Sequence, residues 1–382
     1  MRTVRFGIVG CGLMGREFAS AAARWCHLAE IDVRPEIVAV CDTSPALSGW
    51  FAERFASVRQ VTADYRALLA NPEVEAVYIA VPHHLHAEFY CAATEAGKHL
   101  MGEKPFGIDL AANRQITACI KRHPETFVRC SSESPFFPAV QRIGKMIEDE
   151  AFGQLIEANT GFLHSSDLDA DKPINWKRMI EFNGEYGAMG DLGIHACHVG
   201  FRAGWRPRNV RALLGNIVKE RPDGKGGRVP CRTWDNATLL CETENPVDGE
   251  LFPWTIKTHR IAPGQKNNWT VEILGTRASA RWSSARADIL EVLEYTGGDQ
   301  VWGQIQTGHE TAFKTITGGI FQFGFTDSIL QMWAAFLYEL HHGKPVRRFA
   351  GCVTPDEARL SHGLFTAALE SQKACRVATV EG

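Results

Sequence analysis

No apolar run in the chain is long and clean enough to cross a bilayer, which argues against a helical membrane protein. The first residues carry no basic, apolar and cleavage-site series of a secretion signal and go straight into a strand-like run, so work in the cytoplasm is expected. Charge of one sign is lacking as well. A net charge of -3 gives no case for a nucleic-acid partner or an anionic membrane surface. Cysteine is plentiful, with eleven residues, but no Cys-x-x-Cys pair occurs among them. Cys41, Cys91, Cys119, Cys130 and Cys241 lie within apolar patterns, where cysteine acts as a small hydrophobe, so reduced, buried thiols and no metal are expected. There is no internal repeat and no low-complexity tract.

The most informative stretch is Val4 to Gly15, in which the apolar run Phe6, Ile8, Val9 ends in Gly10-x-Gly12-x-x-Gly15. Leu13 and Met14 then open a helix-forming segment. Gly10 allows the tight turn, Gly12 lets a pyrophosphate approach bare backbone, and Gly15 lets the helix pack close on the strand. The helix N-terminus offers free N–H groups and partial positive charge to phosphates. A second apolar run, Glu36 to Cys41, closes on Asp42. A carboxylate there accepts both hydroxyls of an adenosine ribose and repels a 2′-phosphate, so NAD is expected ahead of NADP. Asp42 comes later than the usual spacing of about 20 residues, as an insertion at Cys26–Pro35 would explain.

A chain of 382 residues exceeds one comfortable core, so two domains are expected, at 1–132 and 133–382. In the first, strand-like runs (Val4–Gly10, Glu36–Asp42, Ala76–Val81, His99–Glu103, Thr126–Ser131) alternate with helical patterns. That rhythm predicts an α/β Rossmann domain, a doubly wound parallel sheet with its crevice at the carboxyl ends of the strands. Beyond Ser132, helices at Ala139–Glu150 and Ala188–Arg202 flank a strand at Leu155–Gly161. Consecutive strand-like runs from Asn209 to Ser283 follow, predicting an α+β domain with a large, mostly antiparallel open sheet. Residues 284–325 give no clear pattern, and helices at Asp327–His341 and Pro355–Ala374 close the chain, free to pack back on the first domain.

Three clusters carry candidate chemistry. Pro82-His83-His84-Leu85-His86 follows the third strand run, where the crevice lies; a role near the cofactor for His86 competes with a loop of solvated histidines. Glu103-Lys104-Pro105 follows the next run. Over a cationic nicotinamide in a partly dry cleft Lys104 would be pushed toward its neutral form and relay a proton, or stay charged and polarise a substrate oxygen; a plain surface lysine is the alternative. In the helix from Ala188, Asp191, His195 and His198 share one stripe of an otherwise apolar or glycine surface. Asp191 would set the tautomer of His195 for general-base work, against a capping aspartate and a core histidine; a metal at His195 and His198 lacks further ligands. Gly190 and Gly193 suggest a close approach there. Trp176, Lys177 and Arg178 are candidates for a sugar pocket or for hinge packing.

In order and spacing these signatures resemble the Gfo/Idh/MocA family of glucose–fructose oxidoreductase and inositol dehydrogenase relatives, over nearly the whole chain. The resemblance rests on Gly10/Gly12/Gly15, Pro82 with His86, Ala96-Gly97-Lys98-His99 leading to Glu103-Lys104-Pro105, Asp191-x-Gly193-x-His195, and Ile273-Leu274-Gly275-Thr276. It implies a nicotinamide dinucleotide, oxidation or reduction of a sugar or cyclic polyol, a cis Lys104–Pro105 bond, and dimers or tetramers through the C-terminal sheet. It maps the family's catalytic lysine, aspartate and histidine to Lys104, Asp191 and His195. His83 stands where many relatives have Asn, His198 where many have Asp, and the glycine run before the helix is reduced to Gly184-Glu185-Tyr186-Gly187. Three further readings stay open: a redox-neutral glycosidase or lyase, a non-catalytic nucleotide-sensing regulator, and a metal enzyme.

Overall fold

A computed structural model describes residues 1–381. The chain runs β1 (Arg2–Val9), α1 (Leu13–Ala23), β2 (Val33–Cys41), α2 (Pro45–Arg54), β3 (Gln60–Thr62), α3 (Tyr65–Leu69), β4 (Ala76–Ile79), α4 (His86–Glu95), β5 (His99–Gly102), α5 (Leu110–Arg122) and β6 (Val128–Cys130). These strands form one parallel sheet in the order β3-β2-β1-β4-β5-β6. The order reverses between β1 and β4, which leaves a crevice at their carboxyl ends where ligands of open α/β sheets bind. Strand β3 escapes the sequence pattern because its three residues are too short for a period to show.

The second half runs α6 (Pro138–Glu148), β7 (Leu155–His164), α7 (Ile180–Asn183), α8 (Ala188–Ala203), β8 (Arg206–Gly215), β9 (Glu220–Pro222), β10 (Arg228–Pro230), β11 (Asn236–Glu244), β12 (Leu251–His259), β13 (Asn267–Gly275), β14 (Ala278–Ser283), β15 (Ile289–Glu294), β16 (Gly303–Gln306), α9 (Phe325–His342), α10 (Pro355–Ala374) and β17 (Ala378–Thr379). Nine of its strands make one sheet, β16-β15-β14-β13-β7-β12-β11-β8-β17, and every neighbouring pair is antiparallel except β7 with β12. The unclear segment 284–325 supplies β15 and β16. One face of the sheet carries α8, whose length is buried apart from Arg202.

Close approach of other elements explains two of the glycines of α8, Gly193 and Gly200, whereas Gly190 has only the looser contact of Tyr186 at 3.2 Å. A Cβ on Gly193 would lie 2.2 Å from the Phe365 ring of α10, and one on Gly200 2.5 Å from Trp254 of β12. The crowding is helix and sheet packing, not a ligand at the helix surface.

Helix α9 returns to the first half of the chain. Its Trp333 stacks on Phe18 of α1 with ring centroids 3.8 Å apart and meets Phe6 and Tyr78 edge-on at 5.8 and 4.8 Å. These four rings are buried in one cluster that fastens α9 to the back of the parallel sheet. Truncation of Trp333 to Ala should cost about 3–5 kcal/mol, because neighbouring rings cannot close the void. A urea midpoint shift is the measurement; a shift worth less than about 1 kcal/mol would show that α9 does not anchor the sheet.

Candidate functional site

The glycine turn follows from steric limits. Gly10 has φ +98°, and a Cβ there would sit 2.2 Å from the backbone oxygen of Ala80, just past β4. A Cβ on Gly15 would lie 2.3 Å from Gly10 O, whereas Gly12 has nothing within 4 Å of its missing Cβ. The first and third glycines are therefore forced by protein packing, and the second leaves open space in front of α1. No side chain caps that helix at Gly12, so its leading N–H groups face the cleft. Asp42, at the end of β2, accepts the Cys11 N–H at Oδ2 and the Ser44 N–H at Oδ1, both at 2.8 Å. Each oxygen keeps a lone pair for a ribose hydroxyl. A pyrophosphate and a ribose both fit this arrangement.

One cleft of about 540 Å³ runs from this turn to α8. Gly10, Gly12, Leu13, Met14, Asp42 and Pro82 line one part, with Thr43, Leu47, Ala63, Tyr65 and Phe89, which no sequence motif had marked. His83, Glu103, Lys104, Trp176, Lys177 and Asp191 line the other. The candidate residues at Pro82, Glu103 and Lys104 reach the cleft because β4 and β5 end at its rim. Tyr78 and Ser131 each donate to Glu103 Oε1 at 2.6 Å, so the carboxylate is locked against the sheet.

Asp191 is the centre of the far end. Its buried carboxylate receives Lys104 Nζ at 2.8 Å and Lys177 Nζ at 2.9 Å, both on Oδ1. Arg260 donates to Oδ2 and, through Nε, to Asp167 Oδ2 at 2.8 Å. Burial opposes the negative charge, but the three cations outweigh it and hold Asp191 well below the ordinary carboxylate range. Burial also opposes the charge on Lys104; Asp191 and Glu103 overcome it and hold this lysine above its ordinary value. Of the two readings of Lys104, a neutral proton relay and a charged group that polarises an oxygen, the surrounding acids favour the second. Lys177 is the one pushed down, to about 8: burial, Arg260 and Lys104 outweigh the attraction of Asp191.

Trp176, Lys177 and Arg178 occupy one 3-10 turn, capped by the Asn175 side chain, which accepts the Lys177 N–H at 2.9 Å. At three residues per turn, successive side chains leave in directions about 120° apart. Trp176 and Lys177 enter the cleft, but Arg178 points into the core, where it pairs with Asp235 and lies 3.8 Å from Asp167. Arg178 is therefore not a pocket residue. Neither is His86, which has no exposed surface; its ring nitrogens lie 2.7 Å from Pro105 O and 2.9 Å from Val81 O, so it braces the backbone on either side of the cleft floor. The Lys104–Pro105 bond is cis. His84 packs on Phe182, outside the cleft, whereas His83 meets Trp176 edge-on at 4.8 Å.

The polar stripe of α8 separates into three environments, since it climbs about 1.5 Å per residue. His195 does not touch the Asp191 carboxylate: its Nδ1 lies 3.1 Å from Ser132 Oγ and 3.7 Å from Glu133 Oε2, with Phe162 and Trp269 against the ring. Burial holds His195 well below the ordinary histidine value, so the imidazole is neutral, and Asp191 does not set its tautomer. Glu133 itself is pushed up to about 7 by burial and by Glu103. His198 lies farther on, against Arg202 at 3.2 Å, and burial with that cation drives it down to about 3; it belongs to an ion-pair cluster with Glu357 and not to the cleft.

Arg260, Asp167 and His164 stand behind Asp191 without lining the cleft, and sequence reasoning missed them. His164 ends β7 and Arg260 follows β12, and the parallel pairing of those two strands brings both ends to one rim below α8. The only signal was an ionisable residue at a strand end; nothing local shows which strands pair. Burial and Arg260 push His164 down to about 4.

Residues 4–129 match the model of an oxidoreductase family with an NAD-binding Rossmann fold, and residues 140–281 match the GFO/IDH/MocA C-terminal domain. Levoglucosan dehydrogenase of Pseudarthrobacter phenanthrenivorans is 27% identical over 306 residues, 76% of each chain. Inositol 2-dehydrogenase of Acidothermus cellulolyticus is 30% identical over 158 residues, 41% of this chain and 44% of that one. A solved levoglucosan dehydrogenase in complex with NADH and L-sorbose superposes with a TM-score of 0.87 over 100% of both chains at 24% identity, which shows the shared fold. The chain belongs to the GFO/IDH/MocA family and is an NAD-dependent oxidoreductase.

Proposed function

We propose that this protein moves a hydride between NAD and a hydroxyl- or carbonyl-bearing carbon of a sugar, sugar derivative or cyclic polyol. The observation that carries this reading is the cleft itself: a charged lysine, Lys104, stands at the far end of the same crevice that begins at Gly10, Gly12 and Asp42. The names of the relatives, a levoglucosan and an inositol dehydrogenase, support a polyhydroxylated ring as substrate. When bound, the nicotinamide supplies the hydride acceptor or donor. Asp191 fixes Lys104, whose ammonium polarises the reacting oxygen, while Trp176 offers an apolar face to a C–H patch of the ring. The free thiols along the chain suit a reducing compartment such as the cytoplasm. Leu213, Leu240, Leu251 and Ile156 stand exposed on strands of the large sheet and support a homodimer or homotetramer through it.

A panel of anhydrosugars, sugars, cyclitols and aryl glycosides, followed for NADH and for aglycone release in parallel, tests the reading. NADH formation with a ring polyol is expected. Aglycone release without net NADH would replace the dehydrogenase with a redox-neutral glycosidase. Lys104→Ala should lower kcat/KM about 100-fold or more while NADH affinity moves less than about threefold. Equal losses in both would mean that Lys104 only holds the cofactor. In Asp42→Ala, loss of the carboxylate that braces Cys11 and Ser44 should weaken NADH binding about 10-fold, measured by fluorescence titration, with kcat little changed.

A further inference from the structure

Between β8 and β11 the chain leaves the large sheet at residues 216–235 and pairs β9 with β10 in a separate antiparallel hairpin. Arg221 of this hairpin is buried, at 1% exposure. Its guanidinium donates to three backbone oxygens of one loop: Nη2 to Asp167 O, and Nη1 to Asp169 O at 2.6 Å and Lys172 O at 3.3 Å. Burial of a guanidinium is costly, and these carbonyls are what offsets it. Two more ties join hairpin and loop. Pro222 O accepts the Ile174 N–H at 2.9 Å, and Arg228 donates to Asp171 Oδ1 at 3.0 Å and Ala170 O at 3.2 Å.

The loop so held runs directly into the 3-10 turn of Trp176 and Lys177, whose side chains line the cleft. The returning part of the same excursion grips that turn from behind. Thr233 Oγ1 donates to Lys177 O at 3.1 Å, the Arg232 N–H to Arg178 O at 3.4 Å, and the Arg178 side chain pairs with Asp235. Asp235 also accepts the Val218 N–H at 2.9 Å, which closes the excursion on itself. All these bonds act on the backbone from which an aromatic face and an ammonium enter the cleft.

We propose that residues 216–235 are a strap that preassembles the substrate wall of the cleft, with Arg221 as its main positioning residue. This rests on the dehydrogenase reading above and adds what holds the sugar end in place. An irregular loop left untied would have to be ordered by the substrate, at the expense of affinity. The strap moves that ordering into folding, so the ring meets a wall already formed. The opposite side of the cleft has its own supports: Lys104 leaves the end of β5, and Asp42 fastens the glycine turn. Loosening the strap therefore weakens the substrate end and spares the cofactor end.

Hydrogen exchange of the full chain, read by mass spectrometry with and without NADH, tests the strap and needs no substrate. In Arg221→Ala the amides of residues 165–178 should exchange about 10-fold faster or more, with β1 to β6 unchanged and NADH affinity within about threefold. Arg221→Lys, whose ammonium still donates to carbonyls, should restore part of that protection. Thr233→Val, which removes one hydroxyl at nearly constant volume, should speed exchange at residues 176–178 about threefold or more and decides the matter if Arg221→Ala does not fold. With a ring polyol from the panel, Arg221→Ala should raise KM about 10-fold while kcat falls less than about threefold, and Arg221→Lys should recover KM in step with protection. Thr233→Val should raise KM in the same direction. Unchanged exchange at 165–178, exchange quickened evenly along the chain in Thr233→Val, or faster exchange at an unchanged KM would each overturn the proposal. If no compound of the panel forms NADH, the dehydrogenase reading fails on that result, and the exchange still decides whether the strap holds the loop.

Discussion

A buried carboxylate holds the two halves of this protein in register at the site. Asp191 sits on a helix with almost no water around it, and a lone charge there would cost several kcal/mol. Lys104 reaches it from the Rossmann half, Lys177 from the loop before α8, and Arg260 from the large sheet. The charge needs all three elements, and each cation in turn needs the carboxylate. Removal of Asp191 would leave two lysines and an arginine in one desolvated pocket, so the group organises the cleft before any substrate enters.

The nucleotide end is built on a different constraint, the volume of a Cβ atom. Gly10 and Gly15 are pressed against backbone oxygens, and Gly12 faces empty space. Asp42 adds the second element by fastening the turn through Cys11 and Ser44 while its remaining lone pairs face the crevice. The cofactor end is thus made almost wholly of backbone and one acid, and the chemical end of charged side chains. That contrast explains why the first end follows from a short motif and the second does not.

Much of the fold was legible from pattern. The alternation of apolar strands and helices, Asp42 at a strand end and the glycine spacing are local features, and α10 begins and ends where its pattern does. Local pattern misled where geometry depends on rotation or on distant partners. Arg178 stands beside Lys177 in sequence, yet a 3-10 turn sends one to the core and the other to the cleft. His198 shares a helix stripe with Asp191, but seven residues of rise carry it to Arg202 and Glu357. His86 stands next to the crevice in sequence and is spent on two backbone carbonyls.

The sequence by itself determined the glycine turn, the NAD-binding Rossmann domain, the two-sheet architecture and the places of Lys104 and Asp191 along it, because each is written in residues close along the chain. Only the tertiary structure decided what Asp191 pairs with, that the surrounding charges raise Lys104 and lower Lys177, and that Arg260 backs the Asp191 carboxylate. Those outcomes depend on desolvation and on the field of charges brought together from four separate segments, through the parallel pairing of β7 with β12 and the reach of Lys104 from beyond β5 to Asp191 of α8. Neither burial nor a through-space field has a signature in local spacing.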